Sequence, residues 1–357
     1  MEGTKMMKAA VLYAQNDIRY DDYPEPETQP GTIKIHIRAC GICGSDVPRV
    51  LGKAAHFYPI VLGHEFSGEV AETGEGVTGF KRGDRVICAS LIPCHNCPDC
   101  ARGNFSLCKH YTFIGSRIQG GMADYVVVPA ENVIKLADNA SFEDAALIEP
   151  ASVALHGVLQ SDYRGGKRVA VVGAGTIGIF TAQWAELLGA KQVVYFDVDD
   201  DRLALAKEIT GHDGVNTMTT DAVEAAKQFT CGAGFDYVFG VSGAPGSYKT
   251  AFAITANKAC VCFIGTPTRE ITFSASEWEQ INRRELHVTG SWMSYTAPFP
   301  GPAWTMCVDY LNSGRLKCDP RIIYKKFAMS QCAEAFACYE HPEQVKGRVM
   351  LVNEESL

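Results

Sequence analysis

Alternating apolar and polar positions near the start of the chain predict a β-rich domain. Ile33, Ile35 and Ile37 are separated by basic side chains, and four glycines punctuate residues 70–86. A period of two is typical of half-buried strands, and closely spaced glycines are typical of the turns between them. The pattern over residues 32–133 therefore predicts a compact β-barrel.

A helical period replaces this alternation near Ser141. Ser141 and Asp144 stand in capping-box positions ahead of an apolar run over residues 145–159. Pro150 interrupts the run, and a residue that precedes proline is disfavoured in the helical conformation. We therefore expect two helical pieces that meet at Glu149, with its carboxylate free to face a cleft.

Beyond Gly165 the pattern becomes strand, helix, strand. Buried runs that suit strands and helices cover residues 168–172, 177–188, 192–198, 202–209, 235–241, 259–264 and 286–291. Such runs predict a doubly wound parallel sheet. The pattern breaks after about Tyr295. We expect residues 1–154 and 296–357 to form one domain, and residues 155–295 to form an α/β domain inserted into it.

Composition and charge narrow the class of protein. The chain has 357 residues, 46% of them hydrophobic, and its 33 basic and 41 acidic side chains give a formal charge of −8. This composition is typical of an ordered globular protein and argues against a nucleic-acid or anionic-membrane binder. The apolar run over residues 9–14 is too short for a signal peptide. Fourteen cysteines in such a chain suggest buried thiols or metal ligands, so we expect a cytoplasmic protein.

A glycine-rich sequence follows the first strand of the predicted parallel sheet. Gly173, Gly175 and Gly178 form G-x-G-x-x-G, with Thr176 and Ile177 between the last two. In this context the first glycine permits a tight turn, and the second lets the backbone approach a pyrophosphate. The helix N-terminus beyond them offers free N–H groups to the negative charge. The sequence therefore predicts a dinucleotide site.

Acidic residues after the next strand indicate which dinucleotide binds. Asp197 lies 19 residues after Gly178, where a carboxylate accepts hydrogen bonds from the adenosine ribose. Three further aspartates at 199–201 would repel the 2′-phosphate of NADP, so NAD is the predicted cofactor. Arg202 is a candidate contact to a cofactor phosphate, or else it neutralises its acidic neighbours.

Four cysteines in one loop predict a structural zinc ion. Cys94, Cys97, Cys100 and Cys108 have the spacing C-x-x-C-x-x-C followed by seven residues and the fourth thiol. Four thiolates close a tetrahedral shell and leave no place for a substrate. A ferredoxin-type iron–sulfur cluster is the alternative, but its motif usually has three residues before the last cysteine and a proline after it. The segment around Cys108 has neither feature.

A second donor set is dispersed along the chain. Cys43, His64, Glu65 and Glu149 would give zinc a thiolate, an imidazole and carboxylates while leaving a place for water or substrate, which is typical of catalytic zinc. Taken singly, each residue is as well explained by buried packing. Cys40 is the competing donor for Cys43, and His156 is the competing donor for His64.

Several segments resemble the zinc-dependent medium-chain dehydrogenases, in the sorbitol dehydrogenase branch. They are residues 41–46 (GICGSD), 63–68 (GHEFSG), the four-cysteine loop and 171–178 (VVGAGTIG). The resemblance implies a GroES-like catalytic domain, a Rossmann NAD-binding domain, and a homodimer or homotetramer formed partly through the edge of the Rossmann sheet. It further implies that Cys43, His64 and Glu149 bind catalytic zinc, that Glu65 exchanges with water or substrate, and that Ser45 relays a proton.

Within that branch, residues 55–63, 113–117, 147–150 and 290–295 resemble the galactitol-1-phosphate 5-dehydrogenases. This implies NAD-dependent oxidation of a polyol phosphate, with galactitol 1-phosphate to tagatose 6-phosphate as the leading pair. Arg49 and Arg117 are candidates for the phosphate contact, with a solvated surface role as the alternative. Other substrates that fit are an unphosphorylated polyol (sorbitol or L-iditol) and arabitol phosphate. A non-catalytic nucleotide-sensing protein is the alternative of another class.

Overall fold

The computed structural model describes residues 5–356, so the first four residues and the last residue of the predicted outer domain lie outside the described part. The chain divides into two compact units. One unit contains residues up to Glu149 and from Tyr295 onward, and the other is Pro150–Ser294. No helix within residues 5–356 is long and apolar enough to cross a membrane.

The amino-terminal part of the first unit is mostly strands. These are β1 Met6–Ala14, β2 Asp17–Pro24, β3 Thr32–Gly41, β4 Ile60–Val61, β5 Glu65–Thr73, β6 Arg85–Cys88, β7 Leu91–Ile92, β8 Thr112–Phe113, β9 Tyr125–Pro129 and β10 Val133–Lys135. Its short helices are α1 Val47–Val50, α2 Pro98–Ala101 and α3 Phe142–Ala146.

The helix α4 Ile148–Gln160 leads into the second unit, which alternates strands and helices. In order these are β11 Arg168–Val172, α5 Thr176–Leu187, β12 Gln192–Asp197, α6 Asp200–Thr210, β13 Asp213–Asn216, α7 Ala222–Thr230, β14 Phe235–Gly240, α8 Pro245–Ala253, β15 Thr255–Phe263, α9 Ala275–Trp278, α10 Gln280–Arg283 and β16 His287–Gly290. The chain then returns to the first unit with α11 Pro302–Asn312, β17 Ile323–Ala328, α12 Cys332–Ala337 and β18 Arg348–Val352.

The main sheet of the first unit has the order β10-β6-β5-β3-β18-β17, and β9 also pairs with β3. The alternating isoleucines of β3 are all fully buried, as the period of two predicts. The late strand β18 pairs antiparallel with β3, so that Met350 faces Gly41. Val349 and Leu351 of β18 are thus part of the same hydrophobic core as Met7 and Val11 of β1.

The sheet of the second unit has six strands within the described residues, all parallel, in the order β13-β12-β11-β14-β15-β16. This is the predicted doubly wound arrangement. Val171, Phe196, Phe239 and Val261 of its central strands are fully buried. Such strands lie between two helical layers and are apolar on both faces.

Two helical pieces form as predicted, but they do not meet at Glu149. The Ser141 hydroxyl accepts from the Asp144 N–H at 3.1 Å and begins α3 as expected, but α3 ends at Ala146 and α4 begins at Ile148. The two helices therefore meet at Leu147. Pro150 lies in the first turn of α4, where the backbone N–H has no intrahelical partner and proline is tolerated.

Two glycines of the second unit should respond oppositely to alanine. A Cβ at Gly178 would overlap the carbonyl oxygen of Gly173, so Gly178→Ala should lower the free energy of unfolding by about 1–3 kcal/mol. At Gly246 in α8, no described atom outside the local helix lies within 4 Å of the added Cβ. Gly246→Ala should therefore stabilise the protein by about 0.4–1 kcal/mol, because it restricts the unfolded chain. Denaturant unfolding of both variants measures the difference, and equal midpoints would contradict the packing argument.

Candidate metal and nucleotide sites

The loop that carries Cys43 is held by the buried carboxylate of Asp46. One Asp46 oxygen accepts from the Cys43 N–H at 3.2 Å, and the other accepts from the Arg49 guanidinium at 3.1 Å. The same carboxylate lies 3.5 Å from the His64 Nδ1. Asp46 thus fixes the loop and leaves the other imidazole nitrogen, Nε2, free to bind a metal.

Strand pairing brings His64 and Glu65 to this loop. In the antiparallel register of β3 and β5, Gly41 faces Glu65. Cys43 lies just beyond the end of β3, and His64 lies just before the start of β5. One ligand atom from each of Cys43, His64 and Glu65 lies within 4.8 Å of the others. Three predicted ligands from two distant segments therefore meet at one point.

Glu149 enters from the first turn of α4 and lies outside that 4.8 Å group. It is nevertheless electrostatically close: burial first, and then the Glu65 carboxylate, raise the pKa of Glu149 to about 8. Burial, with Glu65 and Asp46, likewise raises the pKa of Cys43 to about 12. Several acidic groups thus lie close together and away from water. This arrangement favours the binding of a cation between them.

Arg348, at the start of β18, faces these anionic groups. Its Nε lies 3.1 Å from Glu65, and it donates to the Ile42 carbonyl at 3.1 Å. Burial opposes its charge, but the Glu65 carboxylate and the Cys43 thiol raise the pKa of Arg348 above its ordinary value. The sequence analysis missed Arg348, because no local motif marks a residue about 300 positions from Cys43.

The donor set fits a catalytic metal ion. Glu65 Oε1 is buried and has no hydrogen-bond partner among residues 5–356, and Glu65 Oε2 has only its ion pair with Arg348. Arg348 contributes a single positive charge opposite two carboxylates and a thiol. One soft thiolate, one imidazole and carboxylate oxygens are the ligands that open zinc sites use. Leaving such acceptors unpaired is costly, so a metal ion accounts for their arrangement.

The two competing donors do not join this group. The Cys40 thiol is buried and donates to the Gly41 carbonyl at 3.7 Å. His156 lies on α4 in the second unit, and burial lowers its pKa to about 4. Both are therefore packing residues in the core.

The four-cysteine lobe, residues 94–108, is assembled as its spacing predicts. The sulfur atoms of Cys94, Cys97, Cys100 and Cys108 all lie within 4.8 Å of one another. The Cys100 and Lys109 N–H groups lower the pKa of Cys97 to about 6, whereas burial raises that of Cys100 to about 12. Four sulfurs at this spacing fit a closed tetrahedral zinc shell.

The glycine-rich turn lies between β11 and α5, and its geometry fits a dinucleotide. Gly173 has a φ of 116°, which only glycine adopts readily. A Cβ built on Gly175 would have no described atom within 4 Å, so the backbone is open to a ligand there. Thr176 and Ile177, in the first turn of α5, are half-buried.

Asp197 ends β12 and is tied to this turn. One of its oxygens accepts from the Ala174 N–H at 2.6 Å, and the other accepts from Val198 N–H at 2.7 Å. Asp199 caps α6 by accepting from the Arg202 N–H at 3.0 Å. The half-buried Arg202 therefore belongs to the first turn of the helix after the acidic cluster.

The structure distinguishes the two candidate phosphate contacts. Arg49 donates to the carbonyl and hydroxyl of Ser45, at 2.6 and 3.1 Å, while its Nε is buried and has no partner among the described residues. Arg117 is exposed and stacks on the Tyr111 ring at 4.4 Å. Arg49 thus lies beside the Cys43 loop, and Arg117 is supported by one aromatic ring. Ser45 itself is exposed.

Comparison with known proteins identifies the family of the chain. The family model of the alcohol dehydrogenase GroES-like domain matches residues 29–138, and that of zinc-binding dehydrogenases matches residues 176–309. Galactitol 1-phosphate 5-dehydrogenase of Escherichia coli K12 is 36% identical over 89% of this chain and 92% of its own length. L-idonate 5-dehydrogenase of Vitis vinifera is 32% identical over 92% of this chain and 90% of its own length.

A solved structure has the same fold as this chain. The crystal structure of galactitol-1-phosphate dehydrogenase from Escherichia coli has a TM-score of 0.92 at 34% identity, and covers 97% of this chain and 100% of that one. The predicted fold class, a GroES-like domain with a Rossmann parallel sheet, is confirmed. The chain therefore belongs to the zinc-dependent medium-chain dehydrogenases, and it is an oxidoreductase of the zinc-binding alcohol dehydrogenase type.

Proposed function

We propose that the protein oxidises a secondary alcohol of a polyol phosphate to a ketose phosphate with NAD, and that the pair is galactitol 1-phosphate and tagatose 6-phosphate. The group formed by half-buried Cys43 and buried His64 and Glu65, in which Glu65 Oε1 has no hydrogen-bond partner among the described residues, carries the chemistry of the proposal. Similarity to the Escherichia coli galactitol 1-phosphate enzyme over most of the chain supports the substrate.

In this proposal the first unit is catalytic and the second binds NAD. Cys43, His64 and Glu149 would hold the catalytic zinc, with Glu65 as a ligand that exchanges with water or substrate. Cys94, Cys97, Cys100 and Cys108 would hold the structural zinc. When bound, the catalytic zinc supplies a Lewis acid that lowers the pKa of a substrate hydroxyl, and NAD accepts the hydride.

The remaining steps belong to the protein's own side chains. Ser45 is exposed beside Cys43, and its hydroxyl is positioned by Arg49, so it would take the substrate proton and pass it outward. Arg348 would hold Glu65 away from the metal in one state, because it is the cation that pairs with that carboxylate. Asp46 would keep the imidazole of His64 oriented throughout.

NAD rather than NADP is the proposed cofactor. The turn at Gly173, Gly175 and Gly178 would hold the pyrophosphate, and Asp197 would accept from the ribose hydroxyls. One Asp197 oxygen accepts the Val198 and Asp199 N–H groups, whereas the other accepts the Ala174 N–H and keeps a second lone pair for a ribose hydroxyl. The aspartates at 199–201 would repel a 2′-phosphate.

We further propose a cytoplasmic homodimer or homotetramer. The strand β16 lies at an edge of the sheet of the second unit, and its residues His287 and Val288 are exposed. An exposed edge strand presents unpaired backbone groups to which a second copy can pair. A non-catalytic nucleotide sensor is disfavoured, since it would have no use for an open donor set.

Each chain should bind two zinc ions of unequal lability, since a closed four-thiolate shell resists chelators and an open shell admits them. Cys43→Ser should keep the fold and one zinc ion but lower kcat by more than about 100-fold, whereas Cys100→Ser should prevent folding. Metal analysis after chelation, with circular dichroism, measures both effects. Near-normal turnover in Cys43→Ser with two zinc ions retained would show that the catalytic assignment is wrong.

NAD should be preferred to NADP, and Asp197→Asn should narrow the preference by about 10- to 100-fold, because it removes the charge and weakens the ribose hydrogen bonds. Glu208→Gln, at the far end of α6, removes the same charge and serves as the control. The ratio of kcat/KM values for the two cofactors is the measurement. Comparable efficiency with both cofactors in the unmodified enzyme would refute the argument.

Galactitol 1-phosphate should be a better substrate than galactitol. A charge-assisted contact contributes about 1.5–3 kcal/mol, so Arg49→Ala or Arg117→Ala should lower kcat/KM for the phosphorylated substrate by about 10- to 100-fold. Arg117→Ala should barely affect kcat/KM for galactitol, whereas Arg49→Ala should lower it as well, because Arg49 also positions the Ser45 hydroxyl. NADH absorbance with both substrates measures this. Equal efficiency on the two substrates in the unmodified enzyme would leave an unphosphorylated polyol such as sorbitol as the substrate.

A further inference from the structure

The four-cysteine lobe holds the segment by which the chain returns to the first unit. Ser106 donates its N–H to the Tyr295 carbonyl at 3.0 Å, and its hydroxyl donates to the same carbonyl at 3.2 Å. The Tyr295 N–H in turn donates to the Ser106 hydroxyl at 2.8 Å. Ala297 donates to the Gly103 carbonyl at 3.0 Å. The position of Tyr295 is therefore set by the lobe.

The ring of Tyr295 connects this clamp to His64. The side chain is 1% exposed, and its ring meets the Phe113 ring edge-on with centroids 6.5 Å apart. Phe113 meets the His64 imidazole edge-on at 5.4 Å. Edge-to-face pairs at these distances are favourable and fix ring orientation. A shift of Tyr295 would thus reach the imidazole through a single intervening ring.

A second connection runs through the backbone near Ser90. The Ser90 hydroxyl donates to the His64 carbonyl at 2.7 Å. The Ser90 carbonyl accepts the Ile114 N–H at 2.9 Å, and Leu91 of β7 pairs with Phe113 of β8. The backbone that holds the His64 carbonyl is therefore continuous with the strand pair that carries the Phe113 ring.

We propose that Tyr295 is a positioning residue, through which the four-cysteine lobe fixes the geometry of His64. The inference rests on the proposed role of His64 as a catalytic zinc ligand. It gives the lobe a function beyond local stability: the lobe clamps the return segment, and the clamped ring supports the imidazole. Residues that support a metal ligand commonly change metal affinity or activity by about 10- to 100-fold when they are replaced.

The test is the rate at which the more labile zinc ion passes from the loaded enzyme to a chromogenic chelator. Tyr295→Leu should accelerate this release by about tenfold or more and should lower kcat, with KM for NAD unchanged. Tyr295→Phe keeps the ring and should restore both values. Ser106→Ala, which removes the hydroxyl clamp, should accelerate release in the same direction.

Phe336→Leu is the matched control, because Phe336 is equally buried in the first unit and belongs to α12. It should lower the thermal midpoint without accelerating zinc release. Unchanged release in Tyr295→Leu or in Ser106→Ala, or equal acceleration in Phe336→Leu, would overturn the proposal. If the unmodified enzyme holds no labile zinc ion, the metal assignment itself fails, and this result is separate from the variant data.

Discussion

The antiparallel pairing at the end of β3 is the constraint on which the catalytic site depends. Gly41 faces Glu65 on β5 on one side and Met350 on β18 on the other. A Cβ at Gly41 would meet the Glu65 carboxylate, so a larger residue there would displace that side chain from its present position. Residues 43, 64 and 348 lie within a few positions of these pairs, and the sheet register alone brings them together.

The electrostatics follow from this register. Burying a thiol and two carboxylates in one place is unfavourable unless cations compensate their charges, and the higher pKa values of Cys43 and Glu149 show that cost. Arg348 supplies one positive charge from within the fold. Zinc would supply the rest, which explains why a site that is costly by itself suits a metalloenzyme.

The two units form their candidate sites with different backbone geometry. In the second unit, parallel strands end beside a glycine turn and a helix N-terminus, and Asp197 links the turn to the acidic cluster through the Ala174 N–H. In the first unit, short strands and loops bring dispersed donors together. The four-cysteine lobe also joins distant segments of the first unit, because Ser106 exchanges hydrogen bonds with Tyr295 of the return segment.

The features that depend on neighbours along the chain could be predicted from the sequence. These are the doubly wound sheet, the glycine turn with Asp197, and the four-cysteine loop, since each is fixed by local spacing. The chemistry of their donor atoms also grouped Cys43, His64, Glu65 and Glu149 into one predicted zinc site, and the family resemblance supported that grouping. The joint at Leu147 and the short strand β13, with Val215 as its one buried residue, escaped prediction because their local signals are weak. That Arg348 faces Glu65 is known from the tertiary structure and could not be predicted from the sequence. The physical reason is that the pairing of strands about 300 residues apart produces no local sequence pattern.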